Sequence, residues 1–222
     1  MSTSEDPGNV EAGSLPGHGT RGRFIAFEGG DGSGKSTQAK RFAERLGAVL
    51  SREPGGTAVG AVIRGLVLDP AFPELGDRTE ALLMAADRAQ HVSELIKPSL
   101  AAGRDVVSDR HVASSLAYQG VGRGLGIGHV QAINDFAVDE LTPDLIVLLD
   151  LQASVARNRL PVELDRIEAS GADLAIDVAA SYRSFADADP KRWVIVDANG
   201  SIDEVADRVW SAATSRLGEV TS

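Results

Sequence analysis

The chain contains no cysteine. That absence excludes disulfides, thiolate-bound zinc, iron–sulfur clusters and a cysteine nucleophile together. Aromatic residues are scarce, at 5% of 222 residues. No apolar run approaches the roughly 18 residues of a membrane span; the longest strong one covers residues 145–149. Basic residues are also in deficit: 22 Lys and Arg stand against 32 Asp and Glu, a net charge of −10. Such a balance argues against a surface built for nucleic acid or an anionic membrane. It leaves room for a small polyanion held by a local group of arginines. The length suits one large domain or two small ones, and one domain of this size buries enough apolar surface to need no covalent staple. A soluble, cytosolic protein with no nucleic-acid or membrane partner is expected.

Residues 1–20 are rich in Gly, Ser, Pro, Glu and Asp and lack the apolar core of a secretory signal. So few apolar groups cannot offset the entropy of ordering, and a disordered tail is expected there. From Arg23 onward short apolar runs alternate with helical patterns, which predicts a parallel sheet flanked by helices. Strands are expected over 24–28, 48–51, 105–108, 145–150 and 193–197, without polar alternation because both faces are covered. Helical patterns cover 35–46, 57–68, 78–101, 112–119, 128–138, 153–160, 174–187 and 202–217. In the third, Ala85, Ala89, Val92 and Ile96 recur at helical spacing and should face the core, and Pro98 should kink or break the helix. The glycine-rich stretch 120–126 reads as a loop whose backbone passes close to a neighbour. Trp193 and Trp210 read as core residues, and His91 and His129 as surface or internally satisfied histidines.

Residues Gly29, Gly30, Asp31, Gly32, Ser33, Gly34, Lys35, Ser36 and Thr37 contain the pattern G-x-x-x-x-G-K-[ST], directly after an expected strand and before an expected helix. That context makes the pattern a phosphate-binding loop. Glycines let successive backbone N–H groups point at phosphate oxygens, and the helix N-terminus adds positive potential. Lys35 should reach the terminal phosphates of a nucleoside triphosphate and the Ser36 hydroxyl should ligate Mg²⁺. The loop does not name the acceptor.

Arg52, after the second expected strand, points toward the carboxyl end of the sheet, where open α/β folds bind ligands. Met84 and Arg88 lie one turn apart on one helix face. Asp109, Arg110 and His111 end the third strand, and residues 114–120 follow on a helix.

The chain resembles the thymidylate kinases from about Arg23 to its C-terminus. The resemblance is carried by residues 27–38, 52–57 and 86–90, by Asp109-Arg110-His111 with residues 114–120, by Pro143-Asp144-Leu145, and by Asp165-Arg166-Ile167-Glu168. It implies a three-layer α/β P-loop kinase fold, with about five parallel strands and helices on both faces. Residues 21–222 would form the kinase domain, with a short lid near 157–171. The implied reaction is transfer of the γ-phosphate of ATP, with Mg²⁺, to dTMP, by a cytoplasmic homodimer. Arg110 and Arg52 would hold the dTMP phosphate, Arg88 and Ser115 the base edge, and Tyr118 with Gln119 the deoxyribose pocket. Asp31 would position the acceptor, and Asp109, with Asp150 as second choice, would be the carboxylate near Mg²⁺.

Three departures from the family pattern stand out. Met84 replaces a phenylalanine that stacks on thymine in many members; methionine is polarizable but gives a less defined platform. Phe72 could supply a ring from another loop. After Glu168 the family's Phe-His-x-Arg-Val-Arg type segment gives way to Leu174-Ala175-Ile176-Asp177-Val178-Ala179. The P-loop has Gly32 where a basic residue could stand, so a catalytic arginine must come from the lid. Arg157, Arg159 and Arg166 are available, with Arg159 or Arg166 favoured. Such arginines contribute about 10³–10⁵ in rate in related chemistry. The alternatives are a kinase for another deoxynucleoside monophosphate, suggested by Met84, and a nucleotide-binding regulatory protein with a degraded lid.

Overall fold

The computed structural model describes residues 21–159, 163 and 165–220. The expected tail over residues 1–20, residues 160–162 and 164 of the expected lid, and residues 221–222 of the expected kinase domain lie outside the described residues. Strands β1 (Phe24–Glu28), β2 (Val49–Arg52), β3 (Val106–Asp109), β4 (Leu145–Asp150) and β5 (Trp193–Asp197) form one sheet in the order β2-β3-β1-β4-β5. Every neighbouring pair is parallel. The helices are α1 (Lys35–Leu46), α2 (Ala58–Leu68), α3 (Asp77–His91), α4 (Lys97–Ala101), α5 (Val112–Ser115), α6 (Ile127–Val138), α7 (Ala153–Arg157), α8 (Ala172–Ala188) and α9 (Ile202–Val220).

β1 is central, and all five of its residues are buried, which is why its sequence carries no polar alternation. Successive side chains still alternate between faces. Ile25 and Phe27 pack with Phe42 of α1 and Val209 of α9, whereas Phe24 packs with Val92, Ile96 and Leu100 on the other side. A third cluster joins Val67, Met84, Tyr118, Tyr182 and Trp193. Alternation puts Glu28 on the face of Phe24, where it accepts hydrogen bonds from the His111 N–H and the hydroxyls of Ser114 and Tyr182. Of the two tryptophans, Trp193 is buried; Trp210 packs partly buried on the first cluster, with the Arg45 guanidinium 4.0 Å from its ring centre.

β2 and β3 each begin and end one residue later than expected. The shift sets Asp109 at the end of β3, in register with Phe27 of β1 and Arg52 of β2. The helical stretch 77–101 is continuous but not uniform: a π-helical turn, Val92–Ile96, separates α3 from α4. Pro98 sits at the start of α4, where its missing N–H is tolerated, and Lys97 N–H reaches back five residues to Val92 O. A second π-helical segment, Leu116–Gly122, extends α5 into the expected loop. The close approach anticipated for that stretch is made by Gly122: a Cβ there would lie 2.2 Å from Leu174 of α8. Thr57 caps α2, its hydroxyl accepting the Gly60 N–H at 3.0 Å.

Candidate active site

The order of the strands reverses direction at β1, so the carboxyl ends of β1, β3 and β4 open onto a crevice. A cleft of about 750 Å³ lies there, lined by residues 31–38, Arg52, Arg64, Met84, Asp109, Arg110, Tyr118 and Gln119. Its other end is closed by Arg159, Ala198 and residues 200–202.

The phosphate-binding loop joins β1 to α1. Gly32 and Gly34 have φ of 77° and 88°, the left-handed region that favours glycine. A Cβ on Gly32 would also come within 2.2 Å of the Ala156 carbonyl oxygen of α7, so the backbone leaves no room for a basic side chain there. Lys35 is buried, and its ammonium donates to Gly30 O at 2.8 Å. Burial, helped by the charge of Arg110, pushes it down to about 8, against the pull of Asp31 and Asp109.

Ser36 Oγ donates to Asp109 Oδ2 at 2.5 Å, and Asp109 Oδ1 is buried with no protein partner. A hydroxyl and an incompletely satisfied carboxylate beside a phosphate loop are the donor set that Mg²⁺ takes when phosphates and waters supply its other ligands. Among the described residues no cluster of three His, Cys, Asp or Glu forms a separate metal site. Asp150 instead pairs with Arg183 at 2.9 Å and does not line the cleft.

Arg110 organises the part of the cleft beside β3. It has φ of 77°, a left-handed conformation that costs a non-glycine residue about 1–2 kcal/mol. Its guanidinium donates to Gly29 O, Ser114 Oγ, Tyr118 Oη, Tyr182 Oη and Asp31 Oδ1. Tyr118 in turn donates to Asp31 Oδ2 at 2.7 Å. Burial disfavours the charge of Arg110, but Tyr118, Asp31 and Asp109 outweigh it and raise its pKa. Burial likewise opposes ionisation of Asp31, yet Arg110 and Lys35 hold it below the usual carboxylate range. Arg52 lines the same cleft.

Arg88 lies behind the wall. It is fully buried and donates to Glu53 at 2.7 Å, Ser115 at 2.9 Å, Asn134 and His111 O. Neither Arg88 nor Ser115 lines the cleft, whereas Met84, Tyr118 and Gln119 do. Burial works against ionisation of Glu53, but Arg88 and the neighbouring histidines draw it down to about 2. His91 is the satisfied histidine expected, held between Ser51 Oγ and Glu53 Oε1; His129 is exposed, its Nδ1 3.0 Å from Leu125 O. Phe72 is exposed and outside the cleft, so Tyr118 is the one aromatic among the lining residues.

The three arginines considered for a catalytic role part company. Arg159 lines the cleft and donates to Ala198 O at 3.3 Å. Arg157 is exposed and does not line it. Arg166 does not line it either: its N–H and Nε bond the last carbonyls of α2, Leu68 O and Val67 O, and its Nη2 pairs with Glu80. In the segment where the family pattern has cations, Val178 lies in the core and Leu174 packs against Gly122, while residues 175–177 are exposed.

Two parts of the site escaped the sequence reading. Arg64 lines the cleft and donates to Pro54 O at 3.1 Å. It is the lone charge in the apolar helix α2, a signal that could have nominated it. The turn at 198–202 follows the carboxyl end of β5, where the topological rule already points.

A family model described as thymidylate kinase matches residues 27–209. The thymidylate kinase of Lactobacillus helveticus is 42% identical over 210 residues, spanning 90% of this chain and 99% of that protein. That of Exiguobacterium sibiricum is 46% identical over 191 residues, spanning 83% and 90%. A crystal structure of thymidylate kinase from Ehrlichia chaffeensis superposes with a TM-score of 0.70 at 29% identity, covering 87% of this chain and 99% of that one.

Proposed function

The chain belongs to the thymidylate kinase family, and we propose that it transfers the γ-phosphoryl group of ATP to dTMP, giving dTDP and ADP. The observation that carries the reading is the meeting of the P-loop lysine with Arg110, Asp31 and Tyr118 in one cleft. Two polyanions must approach each other, so fixed cations have to screen them and the charge of the transition state. The P-loop amides and Lys35 hold the donor phosphates. Arg110, Arg52 and Arg64 hold the acceptor phosphate. Asp31 and Tyr118 orient Arg110 and the sugar, and Met84 and Gln119 border the base. Arg88 and Ser115 act from behind the wall, keeping Glu53 and the strand ends in place.

Ser36 and Asp109 would hold Mg²⁺, which when bound supplies charge neutralisation between the β- and γ-phosphates. Arg159 is assigned to the γ-phosphate, since it lines the cleft. Arg166 is assigned to holding the lid. Because the acceptor hydroxyl role is played by a phosphate oxygen, which is already ionised at neutral pH, no side chain has to remove a proton. Transfer is in line, with no covalent enzyme intermediate.

We assign residues 21–222 to the kinase unit with its lid over 157–171, residues 1–20 to a tail outside it, and the protein to the cytoplasm as a homodimer. The dimer is supported by exposed Val59, Val62 and Leu66 on α2, Leu82 on α3 and Phe136 on α6, helices that pack side by side. Met84 favours one second reading, a kinase for a related pyrimidine deoxynucleotide. A coupled assay with MgATP against dTMP, dUMP, dCMP, dGMP and AMP decides. Preference for dTMP is expected; preference for another acceptor, or binding without turnover, would overturn the reading.

A further inference from the structure

We propose that Glu80 is a positioning residue for the acceptor half of the cleft, tying α3, the π-helical segment 116–122 and the lid to one buried carboxylate. Glu80 lies in the first turn of α3, where an acidic side chain would ordinarily sit in solvent, yet it is fully buried. A carboxylate tolerates such a place only when its lone pairs are taken up by good donors. Here Oε1 accepts from Gln119 Nε2 at 2.8 Å, and Oε2 accepts from Arg123 Nη2 at 3.2 Å and from Arg166 Nη2. Burial opposes its ionisation, but the donors of Gln119, Arg166 and Arg123 keep it below the usual carboxylate range.

The three donors come from different parts of the chain. Gln119 lines the cleft from the π-helical segment that also carries Tyr118. Arg166 is flanked by Asp165 and Ile167, which line the cleft from the lid side. Met84 lies one turn beyond Glu80 on the same face of α3 and borders the same space. An ionised carboxylate accepts and never donates, so it takes the N–H end of the Gln119 amide and fixes that amide's orientation. Gln119 Oε1 is left without a protein partner. Asp165 closes the turn around Arg166 by accepting the N–H groups of Ile167 and Glu168 at 2.9 Å each. Arg166 thereby presents one face of the lid to α2 and α3 together. The donor half of the cleft, made by the P-loop and the 198–202 turn, is supplied by other elements.

This inference rests on the dTMP kinase reading for its kinetic arm only. Hydrogen exchange on the full chain without nucleotide provides the other. Glu80→Gln and Arg166→Gln should each speed exchange at amides of residues 165–170 and 116–122 while leaving α1 unchanged. In steady-state assays, each should raise KM for dTMP by about tenfold or more, as small misplacements remote from the chemistry do. KM for ATP should stay within about twofold, and the double variant should do less harm than the sum of the two singles, because the Glu80–Arg166 contact is lost in both. Unchanged exchange in both segments would overturn the proposal whatever the substrate is. So would equal rises in both KM values, or additive effects in the double variant. A parent protein that does not phosphorylate dTMP would instead overturn the assigned reaction, leaving the exchange result to decide on Glu80. Should Glu80→Gln fail to fold, Arg166→Gln carries both arms.

Discussion

Replacing Asp87 by asparagine should stabilise the protein at alkaline pH and do so far less in acid. Asp87 has no solvent exposure, and Gly60 of α2 packs so closely that a Cβ there would lie 2.3 Å from its Oδ1. Oδ1 accepts the Gly55 N–H at 2.9 Å, while Oδ2 has no partner. Burial, with the charge of Glu53 added, pushes Asp87 up from 3.8 to about 6 against the pull of the Gly55 N–H. That rise corresponds to about 3 kcal/mol of preference for the neutral acid, discounted to about 2 kcal/mol for relaxation around an ionised side chain. The folded pKa is raised, so this stability is fully present below 3.8 and is lost as pH rises through 6. Asparagine keeps the acceptor for Gly55 and never ionises. Thermal unfolding at pH 8 should therefore show Asp87→Asn melting about 5 °C or more above the parent, on the usual scale of a few degrees per kcal/mol for a chain this long. At pH 4, close to the unfolded value of 3.8, most of that gap should have closed. Parent and variant share His111 and Glu53, so the acid sensitivity of those groups cancels in the difference. A constant offset at both pH values, or a variant less stable at pH 8, would refute the argument that Asp87 is buried as a strained anion.

Lys35→Ala should lower kcat by about 10²–10³-fold or more while the circular dichroism spectrum and melting temperature hold, since the loss is one of charge placement; retained turnover would contradict the role given to the P-loop. Gly32→Ala should cost at least about 1–2 kcal/mol in stability from its left-handed backbone alone and should weaken ATP binding, because the new methyl meets the Ala156 carbonyl; equilibrium denaturation and ATP titration check both. Arg159→Ala should reduce kcat by about 10³-fold if it meets the γ-phosphate in the transition state. A change confined to KM for ATP would make it a donor-binding residue instead.

The strands were legible because burial on both faces writes an uninterrupted apolar run, and β1, β4 and β5 begin and end where those runs do. The π-helical segments were not, because one extra residue in a turn leaves the apolar spacing of 78–101 almost unchanged. The P-loop is legible for a stronger reason: its conformation needs glycine at fixed places, and the chain cannot hide that requirement. Residues whose function depends on tertiary partners left no such trace. Glu80 reads as an ordinary helix-start acid until Gln119, Arg123 and Arg166 are seen around it. Arg166 and Arg159 look equivalent in sequence, and only the carbonyls at the end of α2 separate them.

The same reasoning separates the arginines that line the cleft from those buried behind it. Arg88 and Glu53 are both sealed, at 0% and 1% side-chain exposure, and a pair so enclosed cannot exchange partners without opening the core. Arg110 and Asp31 remain 16% and 27% exposed, in a cleft, with Tyr118 shared between them. A phosphate arriving there can compete for the guanidinium, since Asp31 keeps the Tyr118 hydroxyl and Lys35 as alternative partners. The net charge of −10 therefore says little about the chemistry. Carboxylates such as Asp31, Glu53 and Glu80 hold arginines at fixed positions, and fixed positive charge in a partly dry cleft acts on a phosphate far more strongly than mobile surface charge does.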